Sequence, residues 1–245
     1  MQIVVEGILT NYQVLGNGKE PLLILPGWKR SINEWIPVAA IIPDKYKVIL
    51  LDLPGFSGST AMSKEVFGVF EYANFVRKFL EKLGIDKCTV LGHSFGGRIG
   101  IVLAAEGKMV NKLILVDSSG IERKSLYVKI MHIIKIISLP LLVILPALIR
   151  NKIRNLFGSR DYKTAGQMRK ILVKTTNQNL ESFLPKIKIP TFIIWGDKDK
   201  TLPVSQAKIF KAGIKDARVR IVWGAGHDPH LQKTEQFTAI LKDIL

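Results

Sequence analysis

The chain has 245 residues, of which 47% are hydrophobic and one is cysteine, and its formal net charge is +16. This length suits a single α/β domain with a large core, and one cysteine excludes an internal disulfide framework. The N-terminus has no basic segment followed by an apolar one, so no signal peptide is predicted and a cytoplasmic location is expected. We find no phosphate loop, metal-ligand cluster or repeat, and no cofactor is expected.

Hydrophobic periodicity predicts alternating strands and helices along most of the chain. A first strand within 1–7 starts a hairpin that turns near 6–7 or near 16–18, and further strands are predicted at 12–15, 22–25, 47–51, 88–91, 112–116, 191–195 and 219–223. Helices are predicted at 32–41, 64–83, 95–106, 203–212 and 229–245. The later strands are continuously apolar, as expected for parallel strands covered on both faces. The aromatic stripe within 64–83 is interpreted as core rather than as a cofactor site.

Segment 92–97, Gly-His-Ser-Phe-Gly-Gly, lies between a strand-type and a helix-type run. A serine on a sharp strand-to-helix turn needs very small residues two positions before and after it, and Gly92 and Gly96 occupy these positions. Such a turn places the hydroxyl of Ser94 in a cleft and points the amide of Phe95 towards a bound group. The alternative, from this segment alone, is a glycine-rich turn between an ordinary strand and helix.

Two later segments carry the partners that a serine nucleophile requires. A serine hydroxyl needs a histidine base, and the histidine needs a carboxylate that fixes its tautomer. Asp199 follows the predicted strand 191–195, and His227 follows the strand 219–223. Both therefore lie at the carboxyl ends of strands, where open α/β sheets bind their ligands.

From end to end, the chain resembles the α/β-hydrolase fold family. The segment 25–28 resembles the family's oxyanion loop, 51–59 resembles the loop after its fourth strand, and the turn at 92–97 and the Gly-Ala-Gly-His at 224–227 complete four signatures in order. The resemblance implies a mostly parallel eight-stranded sheet with helices on both faces and an inserted helical cap. It further implies that Ser94 is the nucleophile, Asp199 the acid and His227 the base, with the amides of Trp28 and Phe95 as the oxyanion hole.

Other carboxylates compete for the role of the acid. Asp197 lies two residues before Asp199, and Asp117 follows the strand 112–116, where some relatives are thought to carry the acid. Asp199 is preferred because it matches the family's position. One departure from the family concerns Pro26, which stands where many members carry His and affects the anchoring of the oxyanion loop.

The remaining polar residues have structural interpretations. His93 is predicted to pack away from the serine hydroxyl, and His230 has no predicted partner. Asp52 is expected to satisfy local backbone donors in a turn. Cys88 is expected to be a buried, inert thiol.

Segment 121–184 does not alternate between strand and helix, and it is predicted to be a cap inserted between core segments 1–120 and 185–245. It holds twelve Lys or Arg against three Asp or Glu, and its stretch 136–149 has no charge. This stretch is too short and too rich in proline to span a membrane. We expect it to line an acyl pocket through Leu142 and Ile144, while the basic flanks contact an anionic membrane surface. A solvated basic surface is the alternative, and nucleic acid is not expected as a partner.

The sequence therefore predicts a serine hydrolase that cleaves carboxylic esters of small to medium apolar substrates through an acyl-enzyme. Lactonase, amidase or aminopeptidase, thioesterase and C–C bond hydrolase activities use the same residues and stay open, because the fold does not fix the substrate. A ligand-binding protein or receptor that keeps these residues without turnover is the alternative of another class.

Overall fold

The computed structural model describes residues 1–59, 66–121 and 166–245. Within these ranges the chain forms an eight-stranded sheet in the order β1-β2-β4-β3-β5-β6-β7-β8. The strands are β1 (Gln2–Val5), β2 (Ile8–Leu15), β3 (Glu20–Leu25), β4 (Tyr46–Leu51), β5 (Cys88–His93), β6 (Val110–Val116), β7 (Thr191–Gly196) and β8 (Ala217–Val222). β1 and β2 form an antiparallel hairpin that turns at 6–7, β2 pairs antiparallel with β4, and the other pairs are parallel.

Helices connect the strands and cover the sheet. They are α1 (Ile36–Ala39), α2 (Val69–Lys82), α3 (Phe95–Glu106), α4 (Arg169–Asn177), α5 (Ser205–Gly213), α6 (Pro229–Gln232) and α7 (Thr234–Ile244), and single 3-10 turns occupy Ile32–Trp35, Gly166–Met168 and Glu181–Lys186. Together with the sheet, they confirm the predicted fold class, the mostly parallel eight-stranded sheet of an α/β-hydrolase.

Three predicted helices differ from the observed ones. The helix predicted at 32–41 is a 3-10 turn followed by the short α1. The helix predicted at 64–83 begins only at Val69, because Gly68 has an extended backbone and caps α2. The helix predicted at 229–245 is two helices, because Lys233 between them has φ −139° and ψ 54°, outside the helical region. Within the aromatic stripe, Phe70 is wrongly predicted as core, since it is 42% exposed.

The core has two layers, one on each face of the sheet. Alternate residues of a strand point to opposite faces, so Leu23 and Leu25 join the layer under α2, α3 and α5, while Leu22 and Ile24 join the layer under α1 and α7. All four leucine and isoleucine side chains are at most 1% exposed. Their burial explains why the parallel strands are continuously apolar.

The described part of the predicted cap, 166–184, is tied to α2 and α3. The guanidinium of Arg98 in α3 donates to the carbonyl oxygens of Thr175 (2.7 Å) and Gln178 (2.8 Å), and the amide of Val69 donates to Oε1 of Gln178 (2.6 Å). Leu142 and Ile144 lie outside the described residues, so their pocket role stays a prediction. Among the helices in the described ranges, none is long and apolar enough to span a membrane.

Candidate active site

Ser94 lies on a strained turn between β5 and α3. Its φ of 49° and ψ of −107° are a conformation that L residues rarely adopt, at a cost of about 1–3 kcal/mol. The turn is tight enough that a Cβ on Gly92 would lie 2.5 Å from the carbonyl oxygen of Gly96, and a Cβ on Gly96 would overlap the carbonyl of Leu25. The amide of Ser94 donates to the carbonyl of Val116 in β6 (3.0 Å). Only glycines at 92 and 96 therefore allow this turn to pack against the sheet.

His227 lies between Ser94 and Asp199. Its Nε2 is 3.0 Å from Oγ of Ser94, and its Nδ1 is 2.7 Å from Oδ2 of Asp199. Because an ionised carboxylate only accepts hydrogen bonds, Nδ1–H donates to Asp199, and Nε2 is left to accept the serine hydroxyl proton. The three residues predicted from the sequence thus form one hydrogen-bonded chain across the carboxyl ends of β5, β7 and β8.

Asp199 is held by three donors. Besides His227, the amides of Thr201 (2.7 Å) and Leu202 (2.8 Å) donate to its Oδ1. Burial raises the pKa of this carboxyl group, but the hydrogen bond and charge of His227 and the two amides lower it, and the net effect is a pKa below 3.8. Asp199 is therefore ionised at neutral pH.

The two competing carboxylates have other partners. Asp197 accepts a hydrogen bond from the amide of Gly224 at 2.5 Å and joins the loops after β7 and β8. Asp117 is fully buried at the end of β6, and its Oδ1 accepts the amide of Gly196 at 3.0 Å. Neither contact is to His227, so the geometry favours Asp199 as its partner.

Of the two residues whose amides are predicted to form the oxyanion hole, Phe95 directly follows Ser94, and the ring of Trp28 contacts the ring of Phe95. Within the described ranges, neither the backbone N–H of Trp28 nor that of Phe95 donates a hydrogen bond to another group. Phe95 is the first residue of α3, where the helix dipole favours negative charge. The carbonyl of Pro26 accepts the amide of Gly96 at 3.1 Å. Pro26 therefore keeps the loop fastened to the helix start without the histidine that many family members carry.

Two buried histidines lie behind His227. The ring of His93 is 1% exposed, and its Nε2–H donates to the carbonyl oxygen of His227 at 2.8 Å. His230 stacks on Trp35 with ring centroids 4.0 Å apart. Burial lowers the pKa of His93 to about 4 and that of His230 to about 2. Both rings are neutral at pH 7 and support the loop that carries His227.

An ion pair connects the oxyanion loop to the histidine loop. Arg30, two residues after Trp28, lies 2.5 Å from Asp228 and 3.1 Å from Glu34. Asp228 directly follows His227, so this pair fixes the distance between the two loops. Sequence reasoning missed the pair, because nothing in either local pattern indicates that these loops meet.

Residues behind the serine were also missed. The hydroxyl of Ser119 donates to the carbonyl of Ser94 at 3.1 Å, and Nε of Arg98 donates to the Ser119 hydroxyl at 3.0 Å. Arg98 is 7% exposed although it lies within α3. An arginine in the otherwise apolar start of this helix is the one sequence signal that pointed to a buried polar network.

Two of the structural interpretations agree with the contacts. The Asp52 carboxylate accepts the amide of Gly58 in its own loop (3.2 Å), as expected, and it also accepts the amide of Ile32 (3.0 Å), which is 20 residues away in the sequence. Cys88 is buried, and burial raises its thiol pKa to about 12, so it is not ionised at neutral pH.

One group of side chains in the described ranges has atoms close enough to hold a metal ion, namely Asp117, Asp199 and His227. Both ring nitrogens of His227 already take part in hydrogen bonds, to Ser94 and to Asp199. Binding of a metal ion through this ring would break one of these two bonds. The hydrogen bonds thus favour an acid–base role for His227.

Comparison with known proteins agrees with the fold. Residues 20–134 match a family model described as the alpha/beta hydrolase fold. A monoacylglycerol lipase of Xenopus laevis is 24% identical over 93% of this chain and 75% of its own length. The crystal structure of a bacterial membrane phospholipase A, 25% identical, superimposes with a TM-score of 0.80 over 99% of this chain and 84% of its own. An esterase from Exiguobacterium antarcticum, 20% identical, has a TM-score of 0.77 over 99% and 98%. The topology, the family model and these structures show that the chain has the α/β-hydrolase fold.

Proposed function

We propose that this protein is a serine hydrolase that cleaves carboxylic esters of apolar substrates through an acyl-enzyme. The observation that carries the proposal is the continuous chain of hydrogen bonds from Oγ of Ser94 through His227 to Asp199, with distances of 3.0 and 2.7 Å. A serine hydroxyl alone is a weak nucleophile at neutral pH, and this arrangement supplies the base and the carboxylate that it needs.

In the proposed mechanism, Oγ of Ser94 attacks the ester carbonyl carbon while Nε2 of His227 takes the hydroxyl proton. Asp199 holds Nδ1–H and stabilises the imidazolium that forms. The negative charge on the carbonyl oxygen is stabilised by the amides of Trp28 and Phe95, which have no other hydrogen bond in the described ranges.

Collapse of the tetrahedral intermediate releases the alcohol, which receives the proton from His227. A water molecule then gives a proton to His227 and attacks the acyl-enzyme. A second intermediate at the same amides breaks down to the free acid and restores the hydroxyl of Ser94. Every proton in this cycle passes through Nε2 of His227.

Aromatic side chains beside the oxyanion amides favour an apolar substrate. The Trp28 ring contacts Phe56 and Phe95 edge-on, with centroids 5.1 and 5.3 Å apart, and is itself half-buried. Two of the relatives are a monoacylglycerol lipase and a membrane phospholipase A, whose names describe esters with acyl chains. These two lines support a carboxylic ester with an apolar part as the substrate.

The proposal is tested with a fluorophosphonate probe and a panel of p-nitrophenyl esters of graded chain length, extended with lactones, thioesters and anilides. We expect rapid labelling and ester turnover by the wild type and by the control Ser182→Ala, whose hydroxyl is exposed, and neither by Ser94→Ala. Failure of Ser94 to react in the folded protein would favour the ligand-binding class. Turnover of lactones, thioesters or anilides in place of esters would assign another hydrolase reaction to the same residues.

We also propose that the basic cap brings the enzyme to anionic lipid surfaces. The net charge of +16 and the exposed Arg169, Lys170 and Val173 on α4 support this contact. Sedimentation with vesicles tests it. We expect binding to anionic vesicles that weakens as salt rises, because salt screens the attraction. Equal binding to neutral and anionic vesicles would exclude the electrostatic contribution.

A further inference from the structure

A second carboxyl group lies beside Asp199 in the buried part of the site. One oxygen of Asp117, one oxygen of Asp199 and one ring nitrogen of His227 all lie within 4.8 Å of one another. Asp117 is fully buried and has a φ of 39°, a strained value for a residue other than glycine. Its amide donates to the carbonyl of Ile194 and its Oδ1 accepts the amide of Gly196, both at 3.0 Å. The end of β7 therefore holds Asp117 at the base of the loop that carries Asp199.

The two carboxyl groups differ in the donors that reach them. Asp199 accepts hydrogen bonds from two amides and from His227, as described above. Asp117 accepts one at Oδ1, and its buried Oδ2 has no hydrogen-bond partner within the described ranges. Two ionised carboxylates this close in a buried pocket would repel each other strongly. The negative charge is therefore stabilised on Asp199, and a proton is favoured on Asp117.

We propose that Asp117 is a positioning residue that stays protonated and donates a hydrogen bond from its carboxyl group to Asp199, so that the pair carries a single negative charge. The donated hydrogen bond adds a fourth donor to the Asp199 carboxylate, besides the two loop amides and His227. It also lowers the basicity of Asp199, so that the proton on Nδ1 stays with His227. The kinetic part of this inference rests on the proposed ester hydrolysis, and the part that concerns the proton on Asp117 does not.

The same geometry makes Asp117 a substitute acid. When Asp199 is replaced by Asn, one of the negative charges that favour a proton on Asp117 disappears, while the burial of Asp117 stays. Asp117 then ionises more readily, and its carboxylate lies within 4.8 Å of the His227 ring. In this variant we therefore expect the carboxylate of Asp117 to provide part of the electrostatic stabilisation of the His227 imidazolium that Asp199 provides in the wild type.

The pH dependence of stability follows from the groups that face Asp117, which are Asp199, Asp228 and His227. Burial raises the pKa of Asp117 well above 3.8, the amide of Gly196 lowers it, and the charges of Asp199 and Asp228 raise it further. In the unfolded chain this carboxyl group loses its proton near its ordinary pKa, whereas in the folded protein it keeps the proton. The contribution of Asp117 therefore lowers the free energy of unfolding of the wild type as pH rises above about 4.

Asp117→Asn removes this loss, because an amide has nearly the same shape, needs no proton, and still offers an N–H to Asp199 and an oxygen to the amide of Gly196. The first experiment measures thermal unfolding of the wild type and Asp117→Asn between pH 4 and pH 8. We expect the Tm of Asp117→Asn minus the Tm of the wild type to increase as pH rises. If the amide variant does not fold, Asp117→Ala replaces it in the same comparison. A difference in Tm that does not change with pH overturns the proposal.

The second experiment compares kcat among the wild type, Asp117→Asn, Asp199→Asn and the double variant at pH 7.5. We expect Asp117→Asn to stay within about threefold of the wild type, Asp199→Asn to fall by about 10³-fold, and the double variant to fall at least about tenfold further. A purely structural Asp117 would leave the double variant equal to Asp199→Asn, and that equality overturns the proposal. If the wild type hydrolyses no ester, the proposed function fails, while the Tm comparison still decides whether Asp117 holds a proton.

Discussion

The sharp turn at Ser94 depends on glycines two positions before and two positions after it in the sequence, whereas His227 meets Ser94 and Asp199 through contacts between segments that follow different strands. Gly92 and Gly96 allow the serine turn by their small size alone. The histidine, in contrast, depends on the buried ring of His93 and on the loop that begins at Asp228. The proposed nucleophile half of the site thus depends on one local turn, and the proposed acid–base half, Asp199 and His227, depends on the tertiary structure.

This comparison is tested chemically by replacing one residue of the nucleophile half, Ser94, and one of the acid–base half, His227. Ser94→Ala and His227→Ala should each lower kcat on esters by about 10⁴- to 10⁶-fold, and the double variant should be little worse, because the two residues act in the same step. Steady-state kinetics on a p-nitrophenyl ester measures this. More than a tenth of wild-type activity in Ser94→Ala would show that another residue is the nucleophile.

Within the acid–base half, the two neighbouring carboxylates of one loop should differ sharply. Asp199→Asn should lower kcat by about 10³-fold, because Nδ1–H of His227 loses its ionised acceptor. Asp197→Asn is the matched control and should keep kcat within about threefold, since the oxygen of its side-chain amide can still accept the amide of Gly224. The reverse order would give the role of the acid to Asp197.

In the nucleophile half, we expect Gly96→Ala to destabilise the fold. The added Cβ would overlap backbone atoms of β3, which cannot move as a side chain can, so the loss should be about 3 kcal/mol or more. Gly84→Ala is the control. Gly84 also has a positive φ, 68°, but no atom lies within 4 Å of the added Cβ, so we expect about 1–2 kcal/mol of destabilisation and an unchanged kcat. Urea unfolding of both variants measures these values, and equal losses would contradict the packing argument.

The buried histidines make the acid–base half sensitive to low pH. The pKa of His230 is lowered to about 2 by burial, with His93, Arg30 and His227 adding to the effect. The unfolded chain binds a proton there below about pH 6.5 and the folded protein does not, so the free energy of unfolding falls by up to about 1.4 kcal/mol per pH unit as the pH falls.

His230→Phe keeps the ring that stacks on Trp35 and removes the titrating group. Neither ring nitrogen of His230 has a hydrogen-bond partner in the described part of the chain, so little should be lost at pH 7. Thermal unfolding between pH 4 and pH 7 should show a smaller acid-induced decrease in Tm for the variant than for the wild type. An equal decrease would mean that other groups cause the acid sensitivity.

The same difference between local and tertiary contacts explains which features could be predicted from the sequence. The strands, the sheet type and the turn at Ser94 follow from patterns that are short in sequence, namely apolar runs and glycine spacing. Asp199 and His227 could be found as candidates because each follows a predicted strand, but their roles as acid and base were assigned by resemblance to a family, since no local rule links two residues that are 28 positions apart. The ion pair of Arg30 with Asp228 and the closeness of Asp117 to Asp199 were not predictable, because they depend on which strand ends are neighbours in the sheet.

The strand order has a consequence for synthesis of the protein. β5, which leads to the serine, pairs with β3 on one side and β6 on the other, so its neighbours in the sheet are complete once residue 116 has been made. His227 comes more than a hundred residues later. Because a growing chain leaves the ribosome N-terminus first, the serine turn can fold well before its base exists. If Ser94 and His227 act as proposed, a nascent chain would therefore carry an unactivated serine hydroxyl until β8 pairs with β7 and brings His227 to Ser94.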